Sequence, residues 1–161
     1  MPVTDVTPDV DALTLTINAE FDAPITRVWQ IYADPRQLEK IWGLPECPAT
    51  VVDHNLAPGG RVSYFMVDPD AAKFCGIWMV TAVTEPRGFS FDDAFTDEHF
   101  TVLESMPKSA NDYSFTEVDG RTRATYVSRY ETAAGLQQVL DMGVIEGASA
   151  AINQIDAFLK A

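Results

Sequence analysis

The stretch from Thr50 to Tyr130 reads as strand after strand, and the residues after it read as helix; no other feature restricts the fold as much. Thr50 to Asn55, Arg61 to Asp68, Phe74 to Val83, Phe89 to Phe95, Tyr113 to Val118 and Arg121 to Tyr130 each carry a strand-like pattern. The segments between several of them are turn chemistry: Pro58-Gly59-Gly60, Asp68-Pro69-Asp70, Glu85-Pro86-Arg87-Gly88 and the two-residue hairpin signal Asp119-Gly120. Strands joined by such short turns pair antiparallel, because a parallel crossover needs a dozen residues or more. From Thr132, a good N-cap, apolar residues between Leu136 and Leu159 recur at helical spacing. About 28 helical residues at about 1.5 Å each would run about 42 Å, enough to cross a whole sheet.

The N-terminal third adds one strand and two short helices. Leu13, Leu15, Ile17 and Ala19 alternate with polar residues on the way to Phe21. Pro24 suits a first helical turn, and Ile25, Val28, Trp29 and Tyr32 form one apolar stripe. Asp34-Pro35 then opens a second short helix carrying Leu38, Ile41 and Trp42, with Gly43 to close it. Residues 1–11, with Asp5, Asp9 and Asp11 beside Pro2 and Pro8, read as a flexible acidic tail, and residues 12–161 as a single domain. Residues 96–110, interrupted by Pro107, read as a mobile loop or a short extra element. The fold class is therefore α+β, with about six to seven antiparallel strands, two short helices after the first strand and a long C-terminal helix.

Charge narrows the range of partners. The chain carries 24 acidic against 11 basic residues, a formal net charge of −13, and has no basic cluster. That excludes nucleic acid, anionic membrane surfaces and highly phosphorylated substrates. No apolar run approaches the roughly 18–20 residues of a membrane span, and MPVTDVTPDV has no secretory pattern. Cys47 and Cys75 read as two buried thiols in a reducing compartment, so the expected location is cytoplasmic.

Four segments in fixed order carry a family resemblance: FDAPITRVWQIYADPRQLEKIWG from Phe21, LAPGGRVSYFMVDPD from Leu56, FCGIW from Phe74 and LDMGVIEGASAAINQIDAFL from Leu140. Together they cover nearly the whole chain. They resemble the START/Bet v 1-like superfamily, the helix-grip fold, and within it the bacterial proteins related to the activator of the Hsp90 ATPase. The resemblance implies a sheet curved around the long C-terminal helix, with a cavity between them closed at one end by the two short helices. Ala148 stands where the family has a bulky aromatic, which implies an enlarged or reshaped cavity.

The residues themselves bear on such a cavity. Gly143 and Gly147 lie one turn apart, and each glycine inside a helix costs roughly 1 kcal/mol against alanine. Either the sheet backbone approaches closely there, or the missing side chains leave room for a ligand. Between Tyr64 and Tyr130 lie 12 of the 17 aromatic residues. If Tyr64, Met66, Trp78, Phe91, Tyr113 and Tyr126 turn towards the helix, they form an apolar wall with a few hydroxyl and indole donors; the other reading is a filled core. Trp42 and Leu140 are assigned to the same cavity. Asp93, on the face of Phe91, and His99, in the loop that could serve as a lid, are the polar candidates at its mouth; Glu146 is a third, and for all three the reading that they face water ranks first.

Catalytic and metal-binding patterns are missing from the sequence. His54 and His99 have no ligand spacing, the cysteines are unpaired in pattern, and Asp92, Asp93, Asp97 and Glu98 lack the geometry of a calcium loop. No catalytic residue, metal or cofactor is expected. The expected function is binding of a small hydrophobic or amphipathic molecule without transforming it, by a monomer or weak homodimer. The resemblance adds two alternatives: interaction with an Hsp90 homologue, or an enzyme like the polyketide cyclases and aromatases of the superfamily.

Overall fold

A computed structural model of the chain describes residues 2–160. Its elements are β1 (Val3–Asp9), β2 (Thr14–Phe21), α1 (Ile25–Ala33), α2 (Pro35–Trp42), β3 (Ala49–His54), β4 (Arg61–Val67), β5 (Lys73–Thr84), β6 (Gly88–Thr96), β7 (Ser109–Val118), β8 (Arg121–Tyr130), α3 (Ala133–Asp141), α4 (Val144–Asn153) and α5 (Ile155–Lys160). The strands form one antiparallel sheet of eight, ordered β1-β2-β8-β7-β6-β5-β4-β3. This is the α+β helix-grip arrangement, with more strands than the six or seven expected. No helix among the described residues is long and apolar enough to cross a membrane.

The extra strand is β1, which replaces the expected tail. Val3–Asp9 pairs with β2 along the sheet edge, although only Val3 and Val6 are even half-buried. An edge strand needs backbone partners on one side only, so side-chain composition does not reveal it, and Pro8 is tolerated there. Pairing is reinforced from the helical side, where Asn153 Oδ1 accepts the Val3 N–H at 3.0 Å. The next strand shows the pattern that alternation predicts: Leu15, Ile17, Ala19 and Phe21 are buried and their neighbours half-buried.

The C-terminal helix is not continuous. It breaks at Gly143, which has φ +87° and ψ +28°, and again at Gln154. Apolar spacing resumes after each break, so periodicity alone carries the helix across both. A left-handed residue is where glycine is favoured, and Gly143 is therefore a bend, not part of a helix interior. Gln154 fastens the second break by donating to the carbonyls of Ile41 at 2.9 Å and Gly43 at 2.6 Å, tying the C-terminal segment to the end of α2.

Gly147 is a different case. It lies within α4, and a Cβ added there would meet nothing within 4 Å, so close approach of the sheet does not explain it. Gly147→Ala is expected to raise stability by about 1 kcal/mol, because alanine restricts the unfolded chain and suits the helix. Gly143→Ala should lower stability, since alanine is strained at that φ. Urea unfolding of the two variants checks both signs.

Candidate functional site

Between the sheet and α4 lies a cavity of about 370 Å³. Its origin is a mismatch in side-chain size. The sheet contributes Tyr64, Met66, Tyr113, Tyr126 and Tyr130, and the short helices add Tyr32, Ile41 and Trp42. Opposite them α4 presents Val144, Gly147, Ala148, Ala151 and Ile152, spaced three and four apart on one helical face. Bulky rings on one wall and mostly small side chains on the other leave space that neither fills.

The polar groups of the lining fall into three sets. Deep in the cavity the Tyr32 and Tyr126 hydroxyls share a hydrogen bond of 2.8 Å, and burial pushes both phenols above their ordinary range. On the sheet wall the Asn111 amide donates to Ser109 Oγ at 3.1 Å, and its Oδ1 accepts from Ser128 Oγ at 2.6 Å. The third set is Asp93 with Tyr64, whose hydroxyl donates to Asp93 Oδ1 at 3.3 Å. Tyr64 reaches it by lying over Gly76, where any Cβ would collide with its ring and hydroxyl. Burial raises the Asp93 carboxyl to about 7, against the hydrogen bonds from Tyr64 and the Ala94 N–H, which favour the ionised form.

Asp93 also marks where the sheet opens. Asp93 pairs with Ser109, and Ser109 with Tyr130, as the last shared rung of β6, β7 and β8. Beyond that rung β6 leaves β7 and continues against β5 as far as Thr96, with Val102 and Leu103 of the following loop bonded to its other edge. All three residues border both the main cavity and an adjoining one of about 200 Å³.

Several candidates lie elsewhere than expected. Trp78 and Phe91 do not reach the cavity: they are fully buried, stacked at 4.2 Å, and form a layer behind Trp42 and Tyr113. Leu140 precedes the Gly143 bend, so α3 carries it away from the lining, and Gly143 itself borders only the smaller adjoining cavity. His99 is exposed, on a turn built by Asp97, whose Oδ1 accepts the N–H groups of His99 and Thr101. Glu146 is exposed as well. Trp42, Tyr64, Met66, Tyr113, Tyr126, Gly147 and Asp93 do come together around the cavity.

The lining also includes residues not selected from sequence. Counting on by two from Tyr126 leads to Ser128 and Tyr130, and counting back from Tyr113 leads to Asn111 and Ser109. Tyr32 carried only a core signal, because its hydroxyl partner lies 94 residues away. Cys47 is half-buried in the lining and Cys75 is buried; both thiols are free. Among the described residues, no three His, Cys, Asp or Glu side chains group as metal ligands.

Residues 22–160 match the family described as Activator of Hsp90 ATPase homolog 1-like protein. Among solved structures, protein Ms6760 from Mycobacterium smegmatis is 68% identical, with 98% of this chain and 97% of that one covered and a TM-score of 0.92. A protein from Arthrobacter aurescens is 41% identical over 98% and 92% of the two chains, with a TM-score of 0.93. One from Staphylococcus epidermidis is 26% identical over 98% and 94%, with a TM-score of 0.84. None of the curated proteins matches. The match across most of the chain, on a fold with this sheet order and C-terminal helical segment, makes the chain a member of the Activator of Hsp90 ATPase homolog 1-like family.

Proposed function

We propose that this protein holds a small amphipathic molecule in the cavity between its sheet and α4. The observation that carries the reading is the mismatch of walls: aromatic side chains on the sheet face small residues on the helix, and about 370 Å³ lies between them. Predominantly apolar walls with a few fixed polar groups are the usual make-up of a small-molecule site. The lining offers hydroxyls, one amide and one carboxyl, and among the described residues no histidine or second carboxylate joins Asp93 there. Holding a ligand is the reading such a set supports best.

Ala148→Trp tests it, because an indole from α4 would enter the space. Thermal unfolding is followed with and without a panel of amphipathic alcohols, amines and carboxylic acids. A ligand at about 100 times its Kd adds about 2.7 kcal/mol, which is several degrees for a domain of this size. At least one compound should shift the unmodified protein and fail to shift Ala148→Trp, which keeps its far-ultraviolet circular dichroism. Equal shifts in both proteins, or none in the unmodified one, refute the cavity reading.

Family membership favours a second reading, action on an Hsp90-type chaperone through the protein surface. Stimulation of a bacterial Hsp90 homologue's ATPase to the same extent by the unmodified protein and Ala148→Trp would support it.

A further inference from the structure

We infer that the ligand of this cavity carries a cationic head, a protonated amine on an apolar or aromatic body, seated at Asp93 among the rings of Trp42, Tyr64, Tyr113 and Tyr130. The inference deepens the cavity-binding reading and rests on it.

The first argument is charge. Among the described residues, Asp93 is the only carboxylic acid in the lining, and no lysine, arginine or histidine lines the cavity with it. None of the ion pairs among the described residues involves Asp93. Its side-chain partner is the Tyr64 hydroxyl at 3.3 Å, a long bond for a carboxylate, which can accept several. Asp93 is half-buried; a carboxylate largely withdrawn from water without a cation is costly, and a ligand ammonium would supply both charge and donors. An anionic head would meet repulsion from Asp93 with no cationic side chain in the lining, among the described residues, to offset it.

Surroundings give the second argument. The Trp42 and Tyr64 rings meet edge to face at 5.6 Å, and Tyr113 and Tyr130 also line the space, so an ammonium beside Asp93 has aromatic faces near it. Position gives the third. Asp93 lies on the rung where the pairing of β6 with β7 ends, at the border with the adjoining cavity, while Tyr32 and Tyr126 lie in the buried interior. A head at the border and a body directed inwards fit an amphipathic ligand.

The titration of Asp93 adds a pH signature. Its neighbours are Tyr64 on β4, Tyr113 on β7 and Tyr130 on β8, with Asp92, Glu104, Lys108, Arg129 and Glu131 across the outer cleft; α2 and α4 face it with Trp42 and Val144. Lys108 is paired with Glu104 and Arg129 with Asp112. Burial holds the free carboxyl at about 7, so ionisation rises through neutral pH, and an alkylamine stays protonated over the same range.

Calorimetric titration with 4-phenylbutylamine, 4-phenylbutan-1-ol and 4-phenylbutyrate provides the test. At pH 8 the amine should bind at least about tenfold more tightly than the alcohol, and the carboxylate most weakly. Asp93→Asn should abolish the preference for the amine over the alcohol, and a far-ultraviolet circular dichroism spectrum like that of the unmodified protein reports that the variant is folded. Affinity for the amine should rise about tenfold from pH 6 to pH 8, as the ionised fraction of a group with pKa near 7 does, and affinity for the alcohol should not rise. Alcohol binding as tight as amine binding, or a preference that survives in Asp93→Asn, overturns the amine assignment and leaves the cavity reading standing. Binding of none of the three compounds overturns both.

Discussion

Trp78→Ala is expected to remove about 3–5 kcal/mol of folding stability, the range for deleting a large aromatic side chain from a packed core. Trp78 is completely buried at the centre of the aromatic layer. It stacks on Phe91 at 4.2 Å and on Phe89 at 5.8 Å, and Trp42 meets it edge to face at 4.9 Å. Alanine would leave a void that the sheet backbone on either side cannot close. Trp78→Phe should cost far less, because the indole Nε1 has no hydrogen-bond partner among the described residues and removing that buried donor offsets part of the lost packing. Chemical denaturation of both variants checks the contrast. A loss below about 1 kcal/mol for Trp78→Ala would mean that the layer repacks. Trp42 rests on Trp78 and lines the cavity, so Trp78→Ala should weaken ligand binding although Trp78 itself never touches the cavity.

Trp78 also shows how far the sequence can be read. Alternation gives the face of a strand, and it places Trp78, Phe91, Tyr64, Tyr113 and Tyr126 on the inner face of the sheet. It gives no depth. Trp78 and Phe91 lie flat against each other, whereas Tyr64 stands over Gly76 and reaches Asp93, and that difference depends on which neighbour is a glycine. Most of β2 to β8 is legible from alternation and bounding turn residues, as in Asp119-Gly120 between β7 and β8, although β5 buries Cys75 to Trp78 in succession and β7 starts at Ser109, inside the segment that reads as a loop. β1 is not, since an edge strand can be held by backbone bonds with its side chains in water. The bend at Gly143 is hidden for a related reason: helical periodicity counts side chains, and a left-handed glycine contributes none.

The cavity arises from a conflict between two such readings. The aromatic strands resemble a core awaiting bulky partners, and α4 supplies glycine and alanines at the positions that face them. Each pattern is visible in the sequence alone. Their registration across the interior is tertiary, fixed in part by the Gly143 bend and by Gln154 gripping the end of α2.

Asp93→Asn is expected to make the protein more stable at pH 8 and to leave its stability nearly unchanged at pH 4. Burial raises the folded carboxyl to about 7, whereas in the unfolded chain it titrates near 3.9. The folded state therefore holds the proton more tightly. Below about pH 4 the group is neutral in both states and costs nothing. As pH rises towards 7 the unfolded chain gains charge first, and stability falls until the folded carboxyl also ionises. With the folded carboxyl held at about 7, ionising it at pH 8 costs the folded state a few kcal/mol, on the order of 2 after solvent screening. Other carboxyls act in the opposite direction. Hydrogen bonds from Ser63 and Arg61 hold Asp53 low, and those from Ser90 and Arg129 hold Asp112 low, so their contributions are lost only as pH falls through the acidic range. The unmodified protein should thus be most stable on the acidic side of neutrality, and Asp93→Asn should flatten the decline from pH 4 to pH 8. Denaturant midpoints across that range measure it; parallel curves for the two proteins would show that Asp93 ionises as freely folded as unfolded. The same destabilised carboxylate is what an ammonium would relieve, so saturating 4-phenylbutylamine should stabilise the unmodified protein more at pH 8 than at pH 6 and lose that pH dependence in Asp93→Asn.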